Sequence, residues 1–150
     1  MEREFISWDD ELSVGIQEID EQHKVLVNLI NRLFNEALVK HNVAVANEIL
    51  TELIQYTIIH FSVEESLFRI FDYPGYEKHK AQHEELKKQV VTLKNRIEEG
   101  EEITIELISF LRSWLKKHIL HEDKKYSHFF TEKGLETSWA KKSWLGRIWG

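Results

Sequence analysis

Apolar residues recur with the 3.6-residue period of an α-helix in four separate stretches of the chain. The first follows Asp20, which the pattern predicts as the helix N-cap, and has apolar residues at positions 26, 27, 30, 33, 34 and 38 before it fades near His41. The second runs from about Ala44 to Phe71 and ends at the turn sequence DYPG, which holds the only proline of the chain. Two helices of bundle length are therefore predicted in the first half.

The second half of the chain contains two more stretches with helical apolar periodicity. A third stripe runs from Tyr76 to Ile97 and is broken by EEGEE, and a fourth runs from about Ile103 to about Glu122. No stretch alternates with period two for long enough to predict a sheet. Four helices joined by short links predict an all-α fold, an antiparallel up-down-up-down four-helix bundle.

The two ends of the chain differ from the bundle. Residues 1 to about 18 have no sustained period and predict an irregular N-terminal arm. We assign residues 1–135 to the bundle domain and residues 136–150 to a Trp- and Lys-rich tail. On a helix the tail would form a short apolar face, which predicts docking to a membrane surface or a protein partner; the alternatives are that its tryptophans pack on the bundle itself or stay loosely ordered. That face consists of Trp144, Leu145, Ile148 and Trp149.

The composition of the chain argues against several classes of function and location. A net charge of −6 gives no basic field for a phosphate backbone, so we do not expect a nucleic-acid partner. The absence of cysteine excludes disulfides, a thiol nucleophile and cysteine-ligated metal. The start MEREFISWDD lacks the apolar run of a signal peptide, and no segment reaches the ~20 apolar residues of a membrane span. We therefore expect a cytoplasmic protein.

The chain has eight histidines, and most of them fall on the apolar faces of the predicted helices. His41 and His128 are predicted as surface residues, and His121 as an ordinary polar position or a support for a ligand. Each predicted helix brings at least one inward histidine, and the second adds a carboxylate four residues further on. This inward set comprises His23, His60, Glu64, His79, His83 and His118.

A lone histidine on an apolar stripe is usually a hydrogen-bonded core residue, but the set as a whole is too costly for that interpretation. Each buried polar group without a partner costs ~1–3 kcal/mol, and a domain has only about 5–15 kcal/mol of stability. Metal ions would use these groups as ligands, and five histidines with bridging carboxylates suit two ions. The absence of cysteine argues against soft-ligand metal centres, and among the metals that imidazole and carboxylate bind we expect iron ahead of zinc, copper or manganese. For the second carboxylate, spacing alone favours Glu122, four residues after His118 and on its face, over Asp123, which needs a π-type turn.

Four sequence segments resemble those of the hemerythrin family, and within it the bacterial hemerythrins. They are DEQH at 20–23, HFSVEE at 60–65, HKAQH at 79–83 and HILHED at 118–123. The resemblance covers roughly residues 7–130 and implies two irons joined by an oxo or hydroxo bridge. It implies one iron on His79, His83 and His118, the other on His23 and His60, and bridging by Glu64 and Asp123.

The resemblance also implies the function. We expect reversible binding of dioxygen by a carrier, store or delivery protein rather than an enzyme, with dioxygen entering end-on at the iron held by His23 and His60. Trp114 and Leu115 match residues that line the family's oxygen pocket, and Val27 and Phe61 are our further candidates for its walls. The alternatives are an oxygen or redox sensor, or an enzyme that scavenges peroxide or nitric oxide or acts as a ferroxidase.

Overall fold

The computed structural model describes residues 3–132, and in this part of the chain all regular structure is helical. The main helices are α1 Gln17–Phe34, α2 Val43–Ile70, α3 Tyr76–Glu98, α4 Ile105–Lys117 and α5 Lys124–Glu132. A π-helical turn, His118–Asp123, joins α4 to α5, and a second one, Asn35–Val39, extends α1. The α4–π–α5 run is the fourth rod of the bundle.

The rods form an antiparallel four-helix bundle, which confirms the predicted fold class. Links of only a few residues follow the first three rods and turn the chain back each time. The core lies between the apolar faces of the helices, where Ile19, Ile30, Leu67 and Ile108 are fully buried. None of the described helices is long and apolar enough to cross a membrane.

The predicted N-cap of α1 at Asp20 is wrong. The helix begins at Gln17, after Ile16 in an extended conformation. The Asp20 carboxylate instead accepts hydrogen bonds from the Ser13 hydroxyl at 2.5 Å and the Val14 backbone N–H at 2.8 Å. Asp20 therefore fixes the arm to α1, and the same short polar side chain that suits an N-cap also suits this role.

The N-terminal arm is irregular but held in place. The Asn31 side chain accepts from the backbone N–H groups of Phe5 and Ile6, each at 2.8 Å, and donates to the Ile6 carbonyl at 2.8 Å. Arg112 of α4 donates to the Phe5 carbonyl at 3.2 Å. The arm thus bridges α1 and α4 and closes the bundle on that side.

The fourth rod continues beyond the predicted end at Glu122. Thr104 caps its start by accepting from the Leu107 backbone N–H at 3.3 Å, and helical structure runs on to Glu132. His128 thus lies within α5, and both His128 and His41 are exposed, as expected. The side chains of His121 and Glu122 lie outside the described part of the structure, as do the tail residues Trp144, Leu145, Ile148 and Trp149.

Candidate metal centre

Five imidazoles and two carboxylates meet inside the bundle, and each is at most 4% exposed. They form two overlapping groups, in each of which the candidate ligand atoms lie within 4.8 Å of one another. The first group is Glu64, His79, His83 and His118, and the second is His23, His60, Glu64 and Asp123. Glu64 belongs to both groups, so the two potential metal positions are neighbours.

Local helix geometry aims these side chains at one point. His60 and Glu64 on α2, and His79 and His83 on α3, are four residues apart and therefore stack on one helix face. Asp123 follows His118 by five residues, which on a regular α-helix would turn it away by about 140°. The π-helical turn His118–Asp123 has the wider i→i+5 repeat that returns both side chains to the same face.

Asp123 reaches both groups, with one carboxylate oxygen toward each. Its Oδ1 lies 3.2 Å from His79 Nε2 and 3.1 Å from His118 Nε2, and its Oδ2 lies 2.9 Å from His23 Nε2. This is the arrangement that a carboxylate bridging two ions requires.

Glu64 approaches both groups through a single oxygen. Its Oε1 lies 3.2 Å from His60 Nε2, 3.3 Å from His83 Nε2 and 3.7 Å from His118 Nε2. His23 Nε2 and His60 Nε2 are 3.1 Å apart, so the second pair of imidazoles converges as well. The Nε2 atoms of His23, His60, His83 and His118 therefore face the interior of one cluster.

Buried ligand atoms without hydrogen-bond partners test whether metal ions fit. Among the described residues, Nε2 of His79, His83 and His118 has no partner in hydrogen-bond geometry, and neither do Glu64 Oε1 and the two Asp123 carboxylate oxygens. Such atoms are costly in a protein interior unless something else binds them. Imidazole nitrogen and carboxylate oxygen are the donors that iron, zinc and manganese accept, so the residues fit a pair of such ions.

Three further residues orient the ligands, and the sequence analysis did not find them. His60 Nδ1 donates to Gln22 Oε1 at 2.6 Å, and His83 Nδ1 donates to Glu65 Oε2 at 3.0 Å. Each bond fixes the imidazole tautomer that leaves Nε2 free to face the centre. Gln22 and Glu65 directly precede or follow a predicted ligand, a position that gives no signal of its own.

The third is Tyr126, whose hydroxyl donates to Glu64 Oε2 at 2.7 Å. Its side chain is fully buried, and burial, followed by the nearby Glu64 and Asp123 carboxylates, raises the tyrosine pKa well above its ordinary value. Tyr126 therefore stays a neutral donor. The sequence analysis missed it because the fourth helix was expected to end at Glu122.

The electrostatics of the cluster favour ionised carboxylates. Burial raises the pKa of Glu64, but the surrounding His60, His118 and His83 outweigh it and hold that pKa well below the ordinary range. Burial and Glu64 raise the pKa of Asp123, but His118 and His23 outweigh both and lower it. Burial lowers the pKa of His118, yet Asp123 and Glu64 together raise it to about 10. The site thus presents negative oxygens to whatever cation it holds.

The four predicted pocket residues lie around the cluster in different ways. Phe61 is fully buried and stacks on His83, with ring centroids 3.9 Å apart, and its ring is 6.0 Å from that of His60. Trp114 is half-buried and lies parallel to the His118 ring at 5.8 Å. Leu115 and Val27 are buried in the core, one turn from His118 and His23 respectively.

The Tyr126 contact gives a direct prediction. Tyr126→Phe leaves the buried Glu64 Oε2 without its hydrogen-bond donor, so we expect metal affinity to fall about 10–100-fold, as is typical when a ligand loses its orienting partner. Competition with a chromophoric chelator measures this. Tyr56→Phe is the matched control, because it removes the hydroxyl of a half-buried tyrosine on α2 that is not part of the cluster. This variant should bind metal like the parent. Equal affinities for parent and Tyr126→Phe would contradict the role.

Comparison with known proteins agrees with this geometry. A family model described as Hemerythrin HHE cation binding domain matches residues 14–129. The chain is 36% identical over 144 residues to a bacteriohemerythrin of Pseudomonas aeruginosa (strain LESB58), covering 93% of this chain and 92% of that protein. A bacteriohemerythrin of Stenotrophomonas maltophilia (strain R551-3) is 34% identical over the same coverage. A crystal structure of wild-type hemerythrin superimposes with a TM-score of 0.78 at 28% identity, covering 83% of this chain and 96% of that one. This chain belongs to the hemerythrin family.

Proposed function

We propose that this protein binds dioxygen reversibly at a non-heme di-iron centre, as an oxygen carrier, store or delivery protein. The observation that carries the proposal is the buried cluster of five histidines and two carboxylates, in which Nε2 of His79, His83 and His118 and the inward carboxylate oxygens lack hydrogen-bond partners among the described residues. The hemerythrin family binds a di-iron centre, and this cluster is able to hold metal. Family members are typically oxygen-binding proteins rather than enzymes, which supports the same assignment.

The contacts support one division of the ligands. His79, His83 and His118 would hold one iron, because they surround Glu64 in the first group. His23 and His60 would hold the other, because they group with Glu64 and Asp123. Glu64 and Asp123 would bridge the pair, since both carboxylates approach imidazoles of the two groups.

This division leaves the two ions unequally ligated. With the carboxylates shared, the ion on His23 and His60 has one protein ligand fewer than the ion on three histidines. We therefore place the end-on dioxygen position at the iron of His23 and His60. Iron supplies the electrons that dioxygen takes up on binding and returns on release.

The protein's own residues would keep such a cycle reversible. Gln22 holds the His60 ring so that Nε2 faces the centre, and Tyr126 holds the outer oxygen of Glu64. Phe61, Leu115 and Val27 are at most 5% exposed and would keep water from the bound gas. Water that entered the site would promote irreversible oxidation of the iron. An oxidised site would no longer bind dioxygen, so these apolar side chains would keep binding reversible.

The test uses the full chain, loaded with ferrous iron under anaerobic conditions. We expect two irons per chain and a visible absorption band that appears with oxygen and fades when oxygen is removed, over repeated cycles. His128→Ala, which changes an exposed histidine outside the cluster, should behave identically. Immediate irreversible oxidation would overturn the carrier proposal in favour of a sensor or scavenging enzyme, and stoichiometric loading of a different metal would overturn the iron assignment.

A further inference from the structure

An open trough separates α3 from α4 on the surface of the bundle. The part of it nearest the histidine cluster has a volume of about 510 Å³, and Leu86, Phe110, Trp114 and His118 are among the residues that line it. Two adjoining grooves of about 360 and 280 Å³ share Phe110 and continue to Ile97. The trough thus follows α3 from Gln82, next to the histidine cluster, to Ile97 near the C-terminal end of the helix.

The trough has the surface of a binding site rather than of a solvated face. Phe110 is 41% exposed at its middle, where an apolar ring has no cover among the described residues. In its wall, Trp114 Nε1 and Gln82 Oε1 are buried atoms without hydrogen-bond partners in the described part of the chain. An apolar floor with an unmet donor and acceptor suits a segment rich in aromatic residues.

The chain itself has such a segment in residues 133–150, which follow the described part. This C-terminal segment contains three tryptophans with Leu145 and Ile148. It has four basic residues and one acidic residue, a charge of +3, so the total of −6 leaves −9 on residues 1–132. The opposite charges attract the segment to the bundle, and its tryptophan, leucine and isoleucine side chains suit the exposed apolar ring of Phe110.

The segment leaves the bundle at a suitable place and is long enough. Phe129 and Phe130 of α5 contact Tyr73, with ring centroids 5.3 and 6.2 Å apart, so α5 ends beside the turn that leads into α3. From Gln82 to Ile97 the trough follows α3 for about 22 Å. The end of α5 at Glu132 lies about 21 Å along the rod from His118, so the path back to the trough and along it is about 43 Å. Eighteen residues span about 27 Å as a helix and up to about 60 Å when extended, so an extended segment covers this path. Length therefore does not prevent the segment from following the whole trough.

We propose that the C-terminal segment docks into the α3–α4 trough of its own chain and covers the side of the bundle next to Trp114 and His118. A tethered segment has an effective concentration in the millimolar range, which favours its own trough over that of a second copy. Docking removes Phe110 from water and shields the metal ligand His118 from solvent on this side. The proposal concerns the polypeptide alone and does not depend on which metal the centre holds.

Cysteine crosslinking tests it, because the natural chain has no cysteine to interfere. The full chain carries Gln89→Cys at the exposed edge of the trough together with Ser143→Cys in the segment. We expect a short bismaleimide to give mainly a crosslinked monomer, with a yield that does not depend on protein concentration. The matched control pairs Ser143→Cys with Ile59→Cys, which lies exposed on α2 away from the trough, and should crosslink at least fivefold less.

A second substitution separates docking from chance contact. Phe110→Glu in the Gln89/Ser143 pair places a charge on the trough floor and should lower the crosslinked yield severalfold, whereas Val43→Glu, at a residue 69% exposed on α2, should not. Circular dichroism confirms that both variants fold. Equal yields for the Gln89 and Ile59 pairs, or crosslinked dimers in place of monomers, would overturn the proposal. Loss of the crosslink on adding anionic lipid vesicles that bind the protein would overturn it in favour of a membrane segment.

Discussion

Glu64→Ala is expected to reduce the iron content of the protein from two ions per chain to less than one. Glu64 is the one residue common to both ligand groups of the described chain, and its Oε1 lies within 3.3 Å of Nε2 of both His60 and His83. Removing it takes a negative ligand from both ions and leaves the imidazoles facing each other. His23→Ala removes a ligand from the second group only, so about one iron per chain should remain.

Metal analysis after anaerobic loading and desalting measures both outcomes. Glu52→Ala is the matched control, because it removes an exposed carboxylate of the same helix, which lies 3.7 Å from the Arg32 guanidinium in a surface ion pair away from the cluster. It should retain two irons, and circular dichroism should show all three variants folded. Parental iron content in Glu64→Ala would show that the two ions do not share this carboxylate, and the proposed bridging role would be lost.

Helical periodicity was sufficient to predict the four rods, because the apolar face of each helix can be recognised from its own sequence, without knowing which helices pack against it. The predicted start of α1 was wrong, because a short polar side chain can either cap a helix or hydrogen-bond to a neighbouring segment. Asp20 was predicted as a cap, yet its carboxylate binds Ser13 and Val14 of the arm, and the helix begins at Gln17. The choice between these uses depends on where the arm runs, which only the folded chain specifies.

The end of the fourth rod was missed because of the π-helical turn. One extra residue between His118 and Asp123 shifts the phase of the buried face, so that on a regular helix Phe130 would lie about 100° away from Leu111 although both are buried. A regular 3.6-residue projection therefore ends the helix too early. The same shift is what turns Asp123 toward the ligands, so the irregularity that obscured the rod also builds the site.

The inward positions of the five clustered histidines could be predicted from the sequence, and the hydrogen bonds made by their neighbours could not. Inward histidines on four separate helices converge by necessity once those helices form a bundle. Which nitrogen faces the centre, by contrast, depends on the hydrogen bond at the other nitrogen. Gln22 and Glu65 make those bonds, and either side chain could equally have pointed to solvent.

Removal of the metal is expected to lower the melting temperature by about 8–16 °C. An ion present at 1,000 times its Kd stabilises the folded state by about 4.1 kcal/mol, and for a chain of this length each kcal/mol shifts Tm by about 2–4 °C. The physical source is the buried cluster, where Glu64 and Asp123 are fully buried and their inward oxygens lack hydrogen-bond partners among the described residues. The metal-free chain must keep these atoms unpaired or let water into the core.

Thermal unfolding followed by circular dichroism, with and without a chelator, measures the difference. The close contacts of the Asp123 carboxylate with His118 Nε2 at 3.1 Å and His23 Nε2 at 2.9 Å keep part of the cluster together without metal, so the metal-free protein should still fold. Glu64→Ala serves as the control, because a variant that retains less than one metal ion per chain should show a much smaller change in melting temperature on adding chelator. A parent protein equally insensitive to the chelator would mean that the buried imidazoles and carboxylates stabilise one another without a metal, and the cluster would then be a polar core.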